Sequence, residues 1–575
     1  MKLHLSFVSF LLSVGGVNAV ALPAPEPEPV PVQLEERFAK VNVNFPGGSV
    51  VGRSLLNTES FAAIPFAKSP VGDLRLRPPQ RYTDQLDNHD GTGIAPACPQ
   101  MYVSTGAKDF ISKTLGALLK LPLIEELNGQ EDCLTLTVQR PEGTKADAKL
   151  PVLFWIFGGG FELGGSNTYD ATSLFGTAVD QDQPFIFVAV NYRVNGFGFL
   201  GGAEIKKEGS SNLGLLDQRM GLEWVADNIE AFGGDKTKVT IWGESAGAIS
   251  VFDQMLLYGG NASYKGQDLF RGAIMNSGSA IPAEPVDGDK AQAIYDTVVN
   301  EAGCAGDADT LACLRKLDYD TFYNAVTSVP GILSYNSVAL SYLPRPDGVV
   351  LPLSPEKAGL KGQFHKVPAI IGDQEDEGSL FALFTNNVTS TDRLVNYLSE
   401  LYFPKLDKSI LRELVDLYPD RASAGSPFRT LFFNQLYPGF KRVAALLGDI
   451  VFTITRRVVL NAANDVAPDM PTWSYLSSYY YGTPIMGTFH ASDILQVFYG
   501  VLPNHAMTSC RTYYFNFLYN LDPNKGVGGY IKWPRWSEGK KIMWFKSAFK
   551  NEIIQDDFRS DVSDFLTEHA SDLRI

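Results

Sequence analysis

A serine flanked by two glycines, between a run of β-forming residues and an apolar helical pattern, constrains this chain more than any other feature. Residues 238–248 read KVTIWGESAGA, and Ser245 stands between Gly243 and Gly247. Glycines at these positions let another chain segment and the following helix approach a serine on a tight strand-to-helix turn. The motif is short and 53 of the 575 residues are glycine, so its context must show whether the serine is functional.

Short apolar runs alternate with helical patterns from about residue 150 onward. The predicted strands include Leu150–Phe157, Pro184–Asn191, Lys238–Trp242 and Val367–Asp373, and the predicted helices include Asn212–Phe232 and Ala246–Leu257. Apolar runs without polar alternation are typical of strands buried on both faces. This order predicts an α/β fold with a large, mostly parallel central sheet flanked by helices. The sequence shows no internal repeat or interior linker, which predicts a single catalytic domain over residues 38–575.

The residues before that domain predict export from the cell. Residues 1–21 combine a short basic start, an apolar centre and a small-residue cleavage site, the pattern of a secretory signal peptide. Residues 22–37 alternate proline with glutamate, which is typical of an extended leader or propeptide. Glycosylation sequons begin at Asn261 and Asn387. We therefore expect a secreted, extracellular glycoprotein without a transmembrane anchor.

Charge and cysteine content exclude some classes of protein. The net charge of −15, without any basic run, argues against nucleic acid as a partner. Five cysteines in a secreted chain predict two disulfides. Cys304 and Cys313 bracket a short loop and are natural partners, Cys98 would then pair with Cys133, and Cys510 remains as a buried thiol. No zinc-type spacing of Cys and His occurs, and we expect neither a metal nor a cofactor.

A nucleophilic serine needs a base, usually an imidazole that a carboxylate orients. In sheets of this class the chain order is serine, acid, histidine, so the base should follow Ser245. The histidines in that part of the chain are His365, His490, His505 and His569. His490 lies in a glycine-containing loop after an aromatic run and is the favoured base, with His505 as its competitor.

The acid and the oxyanion site have candidates at the ends of predicted strands. Acidic residues after the Val367–Asp373 run are Asp373, Glu375, Asp376 and Glu377, and the residues alone do not choose among them. The run from Gly158 to Gly160 supplies backbone N–H groups that can approach a developing oxyanion. A phosphate-binding loop would continue with lysine and serine or threonine, whereas Phe161 and Glu162 follow here.

Taken together, seven motifs resemble the type-B carboxylesterase and lipase family. They read GGGFELGG, NYRVNGFGFL, SNLGLLDQR, FGGDKTKVTIWGESAG, SYLPRPDG, GDQEDEG and GTFHASD. Within that family the chain looks most like the secreted fungal lipases and sterol esterases of the Candida rugosa lipase type. The resemblance runs from about Lys40 almost to the C-terminus, and it implies an α/β-hydrolase fold with a lid and insertions.

The resemblance also implies roles for individual residues. Ser245 matches the nucleophile, His490 the base and Glu377 the acid. The oxyanion donors implied are the N–H groups of Gly159, Gly160 and Ala246, and the disulfides implied are Cys98–Cys133 and Cys304–Cys313. Non-catalytic binding proteins use the same fold, but they typically lose a member of this triad, and all three members are present here.

The segment between Cys98 and Cys133 indicates which esters are cleaved. Within residues 110–127, one helical face carries Ile111, Leu115, Leu118 and Leu119. The resemblance makes the disulfide-closed loop 98–133 a lid over the active site. An apolar lid face suits a lipid interface or micelle and offers a surface for self-association. We expect a triacylglycerol lipase or sterol esterase, and the alternative is a general carboxylesterase for soluble esters.

Charged substitutions in this apolar face test the expectation. Leu118→Asp or Leu119→Asp should depress hydrolysis of an emulsified long-chain ester and spare a short soluble ester, because only the former needs an apolar binding surface. The measurement is the ratio of the two rates in each variant. Equal loss on both substrates, or no loss on either, would make the segment structural and favour the carboxylesterase alternative.

Overall fold

The computed structural model of the chain describes residues 38–101 and 129–575. From Ala39 to Ile575 the described residues form one compact unit. The predicted signal peptide and leader, and the proposed lid residues Ile111, Leu115, Leu118 and Leu119, lie outside the described residues. The division into domains therefore stays a prediction.

Fifteen strands occur in the described part of the chain. Their bounds are β1 Ala39–Phe45, β2 Gly48–Leu55, β3 Thr58–Pro65, β4 Leu86–Asp90, β5 Thr135–Pro141, β6 Leu150–Ile156, β7 Ile186–Val190, β8 Gly234–Glu244, β9 Ser263–Tyr264, β10 Gln267–Asp268, β11 Gly272–Asn276, β12 Ala369–Gln374, β13 Thr472–Ser477, β14 Lys541–Ser547 and β15 Lys550–Gln555. Strands β9 and β10 pair only with each other, and the other thirteen form one sheet.

The centre of this sheet is parallel and its edges are antiparallel. The strand order is β1-β2-β3-β5-β7-β6-β8-β11-β12-β13-β14-β15, and β4 pairs with β2. All neighbours from β7 to β14 are parallel, whereas β1, β2, β3 and β5 form an antiparallel edge and β15 closes the other edge. The predicted strands therefore lie in the parallel core, and the predicted α/β class is confirmed.

Helices cover the sheet and connect its parallel strands. Their bounds are Thr172–Asp180, Asn195–Phe199, Ala203–Glu208, Leu213–Asn228, Ala246–Gly260, Asp289–Glu301, Thr310–Lys316, Tyr319–Val326, Pro355–Leu360, Thr391–Tyr397, Lys408–Asp416, Phe440–Gly448, Ile454–Val466, His505–Asn520 and Ser560–Glu568. In the helix that follows Ser245, every residue from Ala246 to Leu257 is buried. This helix packs against β6, β8 and β11, and its buried residues are mostly apolar, with Ser250, Asp253 and Gln254 as the polar exceptions.

Aromatic packing joins the two central strands below the serine turn. Trp155 of β6 and Trp242 of β8 lie opposite each other in the parallel register, with ring centroids 4.7 Å apart. Phe498 packs against both rings at 5.2 and 5.7 Å. The Trp242 indole N–H donates to Asn276 of β11, so the third strand is joined to the same cluster. The strand ends that carry the site are thus held by a rigid aromatic layer.

Both expected disulfides are present, Cys98–Cys133 and Cys304–Cys313, and Cys510 is a buried free thiol. Asn261 and Asn387 are exposed, as glycosylation would require. Across residues 38–101 and 129–575, none of the helices is both long and apolar enough to cross a membrane.

Candidate active site

Ser245 occupies a strained turn between β8 and the helix that begins at Ala246. Its φ of 57° and ψ of −127° are rare for a residue with a side chain, and its N–H donates to the Asn276 carbonyl at 2.9 Å. A Cβ on Gly243 would lie 2.3 Å from the Gly247 carbonyl oxygen. A Cβ on Gly247 would lie 2.0 Å from the Ile156 carbonyl oxygen. The two glycines are therefore sterically required, and the motif is not a chance occurrence.

Three side chains from separate loops form one hydrogen-bonded chain. The Nε2 atom of His490 lies 2.7 Å from the Ser245 hydroxyl oxygen, and its Nδ1 atom lies 2.5 Å from Glu377 Oε2. The other oxygen of Glu377 accepts the Gln374 N–H at 2.6 Å, which fixes the carboxylate. All three side chains are buried, and the rings of Phe381 and Phe452 pack on the imidazole at 5.0 and 4.6 Å.

The structure distinguishes the four acidic candidates. Asp373 binds Arg456 at 2.9 Å, and Glu375 pairs with Arg429. Both carboxylates are therefore occupied by arginine, and neither contacts the imidazole. Among the four, only Glu377 lies against His490.

Asp376 has a different part in the site. Its Oδ1 accepts from the Ser426 hydroxyl and the Phe428 N–H, and its Oδ2 accepts from the Thr488 N–H at 2.9 Å. Thr488 stands two residues before His490. Asp376 thus ties the loop of the acid to the loop of the base.

The competing histidine is remote from this arrangement. His505 is exposed at the start of the helix His505–Asn520, and its ring packs near Tyr530 at 5.5 Å. The His365 ring N–H donates to the Phe270 carbonyl at 3.2 Å, and the ring stands beside Asp268. Neither ring contacts Ser245, so His490 is the base candidate that the geometry supports.

The glycine run lies beside the serine as expected. A Cβ on Gly158 would lie 2.9 Å from the Ser245 Cβ, so only glycine permits this approach. The N–H groups of Gly159 and Gly160 have no acceptor among the described residues. The Ala246 N–H opens a helix, where amides lack an intrahelical acceptor. These three amides are available to an oxyanion next to the serine.

Two further buried carboxyl groups influence the imidazole, and no motif in the sequence marks them. Glu244 Oε1 lies 3.4 Å from His490 Nε2, and Asp493 accepts from the Asn276 side-chain amide at 2.8 Å. Burial and the charges of Asp493 and Glu377 raise the pKa of Glu244, whereas the His490 charge lowers it. The net result is a pKa of about 8. Burial also raises the pKa of Asp493 to about 6. In the sequence, only their closeness to the triad could have indicated them. Glu244 directly precedes Ser245, and Asp493 follows His490 by three residues.

The surrounding carboxylates control the charge of the base. Burial lowers the pKa of His490, but the charges of Glu377 and Glu244, the hydrogen bond to Glu377 and the charge of Asp493 raise it to about 9. The buried carboxylates therefore favour the protonated imidazole, which must lose that proton before it can accept one from Ser245.

Comparisons with known proteins agree with this fold. The model of the carboxylesterase family matches residues 39–565. The secreted triacylglycerol lipase LIP1 of Gibberella zeae is 65% identical over 543 residues, which cover 94% of this chain and 92% of that protein. Secreted lipase 1 of Botryotinia fuckeliana is 54% identical over the full length of both proteins. The crystal structure of EstA from Aspergillus niger superposes with a TM-score of 0.78 at 26% identity, covering 93% of this chain and 99% of that one.

The fold and the matched family define an α/β-hydrolase of the serine ester hydrolase class. The chain belongs to the carboxylesterase family, and the family resemblance of the sequence motifs is confirmed.

Removal of the Glu377 carboxylate should lower kcat far more than removal of a neighbouring carboxylate. We expect Glu377→Gln to lower kcat on a soluble ester by about 10⁴-fold, because an amide cannot hold the imidazole in the correct tautomer or stabilise its charge. The control is Glu375→Gln, which weakens the ion pair with Arg429, makes no change at the imidazole and should retain activity. Similar, mild losses in both variants would show that the acid is misplaced.

The pH dependence should report the charge of Glu244. Activity needs neutral His490, so kcat/KM should fall as the pH falls below about 9. Glu244→Gln removes a negative charge that stabilises the imidazolium, so the acid limb of the profile should move to lower pH by about one unit. The measurement is kcat/KM against pH with a neutral soluble ester. A limb that stays in place or moves upward would contradict the coupling.

Proposed function

We propose that the protein is a secreted serine hydrolase that cleaves carboxylic esters of water-insoluble lipids, either triacylglycerols or steryl esters. The observation that carries the chemistry is the continuous contact from Ser245 through His490 to Glu377, beside amides that lack an acceptor. No cofactor or metal is needed for this reaction, since the chain supplies the nucleophile, the base and the oxyanion donors.

The reaction passes through an acyl-enzyme. The Ser245 hydroxyl attacks the ester carbonyl while its proton passes to His490 Nε2, and Glu377 stabilises the imidazolium. The N–H groups of Gly159, Gly160 and Ala246 donate to the oxyanion. Collapse of the tetrahedral intermediate breaks the bond to the alcohol, which leaves with the proton from His490. Water then loses a proton to His490, attacks the acyl group and releases the carboxylic acid with Ser245 restored.

The names of similar proteins support a lipid ester as the substrate. Two of the most similar relatives are named lipases, one of them a triacylglycerol lipase, which favours lipid esters.

The same proposal includes secretion of the protein and a lipid interface as the place where it meets its substrate. The signal-peptide pattern in residues 1–21 and the word "secreted" in the names of both fungal relatives support an extracellular location. The substrate would be met at a lipid interface or in micelles, and self-association through the apolar lid face is proposed on the sequence of residues 110–127 alone.

The second candidate is a carboxylesterase for soluble esters. It is favoured by the structural likeness to EstA of Aspergillus niger and to PNB esterase, which has a TM-score of 0.70. Preference between substrates, rather than the presence of the triad, separates the two candidates.

One variant and one substrate panel test the proposal. Ser245→Ala should lower turnover by about four to six orders of magnitude and abolish labelling by a serine-directed phosphonate. Ser250→Ala, in the same helix, removes only an acceptor for Gln218 and serves as the control. The panel compares emulsified long-chain triacylglycerol, micellar steryl ester and a short nitrophenyl ester. Near-normal activity in Ser245→Ala would refute the mechanism, and a preference for the short ester would favour the second candidate.

A further inference from the structure

The loop that presents the oxyanion donors has an unfavourable backbone. Its φ angles are +112° at Gly159, +64° at Gly160, +60° at Phe161 and +111° at Gly164. The left-handed region suits glycine but is uncommon for a bulky residue such as Phe161. Such a conformation persists only where other contacts hold it. Within the loop, the N–H groups of Glu162 and Leu163 donate to the Gly159 carbonyl at 3.1 Å, and groups outside the loop hold the rest.

One buried side chain binds the end of this loop with both of its polar atoms. Gln100 is fully buried, and its amide nitrogen donates to the carbonyls of Gly164 at 2.8 Å and Cys98 at 2.7 Å. Its amide oxygen accepts the Gly164 N–H at 2.6 Å. Among the described residues, Gln100 supplies every hydrogen bond to the main chain of Gly164. The Gln100 side-chain amide thus makes the hydrogen bonds to Gly164 that a main-chain peptide group would otherwise make.

The position of Gly164 determines the direction of an oxyanion donor. Gly164 packs so tightly on the Gly158 carbonyl that an added Cβ would lie 2.6 Å from its oxygen. The Gly158 carbonyl and the Gly159 N–H belong to one planar peptide group. A displacement of Gly164 would therefore rotate the plane that holds the Gly159 N–H.

Other contacts hold the middle of the loop, whereas Gln100 holds the main chain of Gly164. The Met101 N–H donates to the Glu162 carbonyl at 2.9 Å, and the Asn195 N–H donates to the Phe161 carbonyl at 2.6 Å. Gln100 itself is held between Met101 and the disulfide-bonded Cys98, two residues away. Gln100 therefore lies in the part of the chain that the Cys98–Cys133 disulfide closes.

We propose that Gln100 is a positioning residue for ester hydrolysis, which holds the Gly159 N–H in the direction needed to bind the oxyanion. This inference rests on the proposed function, because it assumes that Gly159 stabilises the charge that forms when Ser245 attacks. Gln100 does not touch the substrate, and its effect belongs to the transition state rather than to substrate binding.

Replacement of the amide by an apolar group of similar shape tests the role. Gln100→Met should lower kcat on a soluble nitrophenyl ester by about 10- to 100-fold and leave KM within about twofold. Affinity for an alkylboronic acid, which forms a tetrahedral adduct with Ser245, should fall by a similar factor. A purely structural role would lower the melting temperature without this selective loss of affinity for the tetrahedral adduct.

Gln183→Met is the matched control. Gln183 is also buried, but its amide binds Asn516 at 3.0 Å ahead of β7, at the end of the strand opposite the site. It should lose stability and keep both kcat and boronic acid affinity. If Gln100→Met does not fold, Gln100→Asn keeps the amide but is one methylene shorter, and it should show a smaller loss of the same kind.

Three results would overturn the inference in the folded variants. They are an unchanged kcat, a loss confined to KM, or a loss that Gln183→Met reproduces. Failure of the proposed function looks different, because the unmodified protein would then neither hydrolyse the ester nor bind the boronic acid through Ser245.

Discussion

The close approach of Gly247 to the Ile156 carbonyl oxygen is the constraint on which the site depends. A Cβ at Gly247 would stand 2.0 Å from that oxygen, so the helix after the nucleophile lies directly on the end of β6. The chain that leaves β6 becomes the glycine run, and the chain that leaves β8 becomes the serine turn. The serine turn and the start of the glycine run are therefore brought together by one backbone contact.

The acid and the base depend on a second connection, which is electrostatic and buried. Asp376 receives two N–H groups and a hydroxyl from two segments, and the next residue is the acid of the triad. Burial, together with the charge of Glu375, raises the pKa of Asp376 to about 7, whereas hydrogen bonds from Phe428, Thr488 and Ser426 lower it. Each carboxyl of the acidic cluster at the end of β12 binds a different partner, which accounts for so many acidic residues close together in the chain.

Sequence patterns predicted the parallel core and the serine turn because both leave local signals. Apolar runs mark β6, β7, β8 and β12. Strands β1 and β2 of the antiparallel edge left no such signal, since buried residues alternate in them with more exposed ones. Strands β3 and β5 are mostly buried, but polar residues interrupt their apolar runs. The choice of Glu377 required the family resemblance, because its neighbours differ from it only in their spatial contacts. Glu244 and Asp493 were missed for the same reason, as their effect on the imidazole arises from burial and distance.

The sequence separation within the triad has a consequence for when the protein becomes active. Ser245 and His490 are 245 residues apart, and Glu377 lies between them on a third loop. A nascent or partly folded chain that has not paired β12 with β13 holds the serine without its base. Hydrolysis therefore requires contacts of very long range, which form slowly because loop closure must come first. Catalytic turnover is thus a direct measure of the fully assembled triad, which the serine turn alone cannot report.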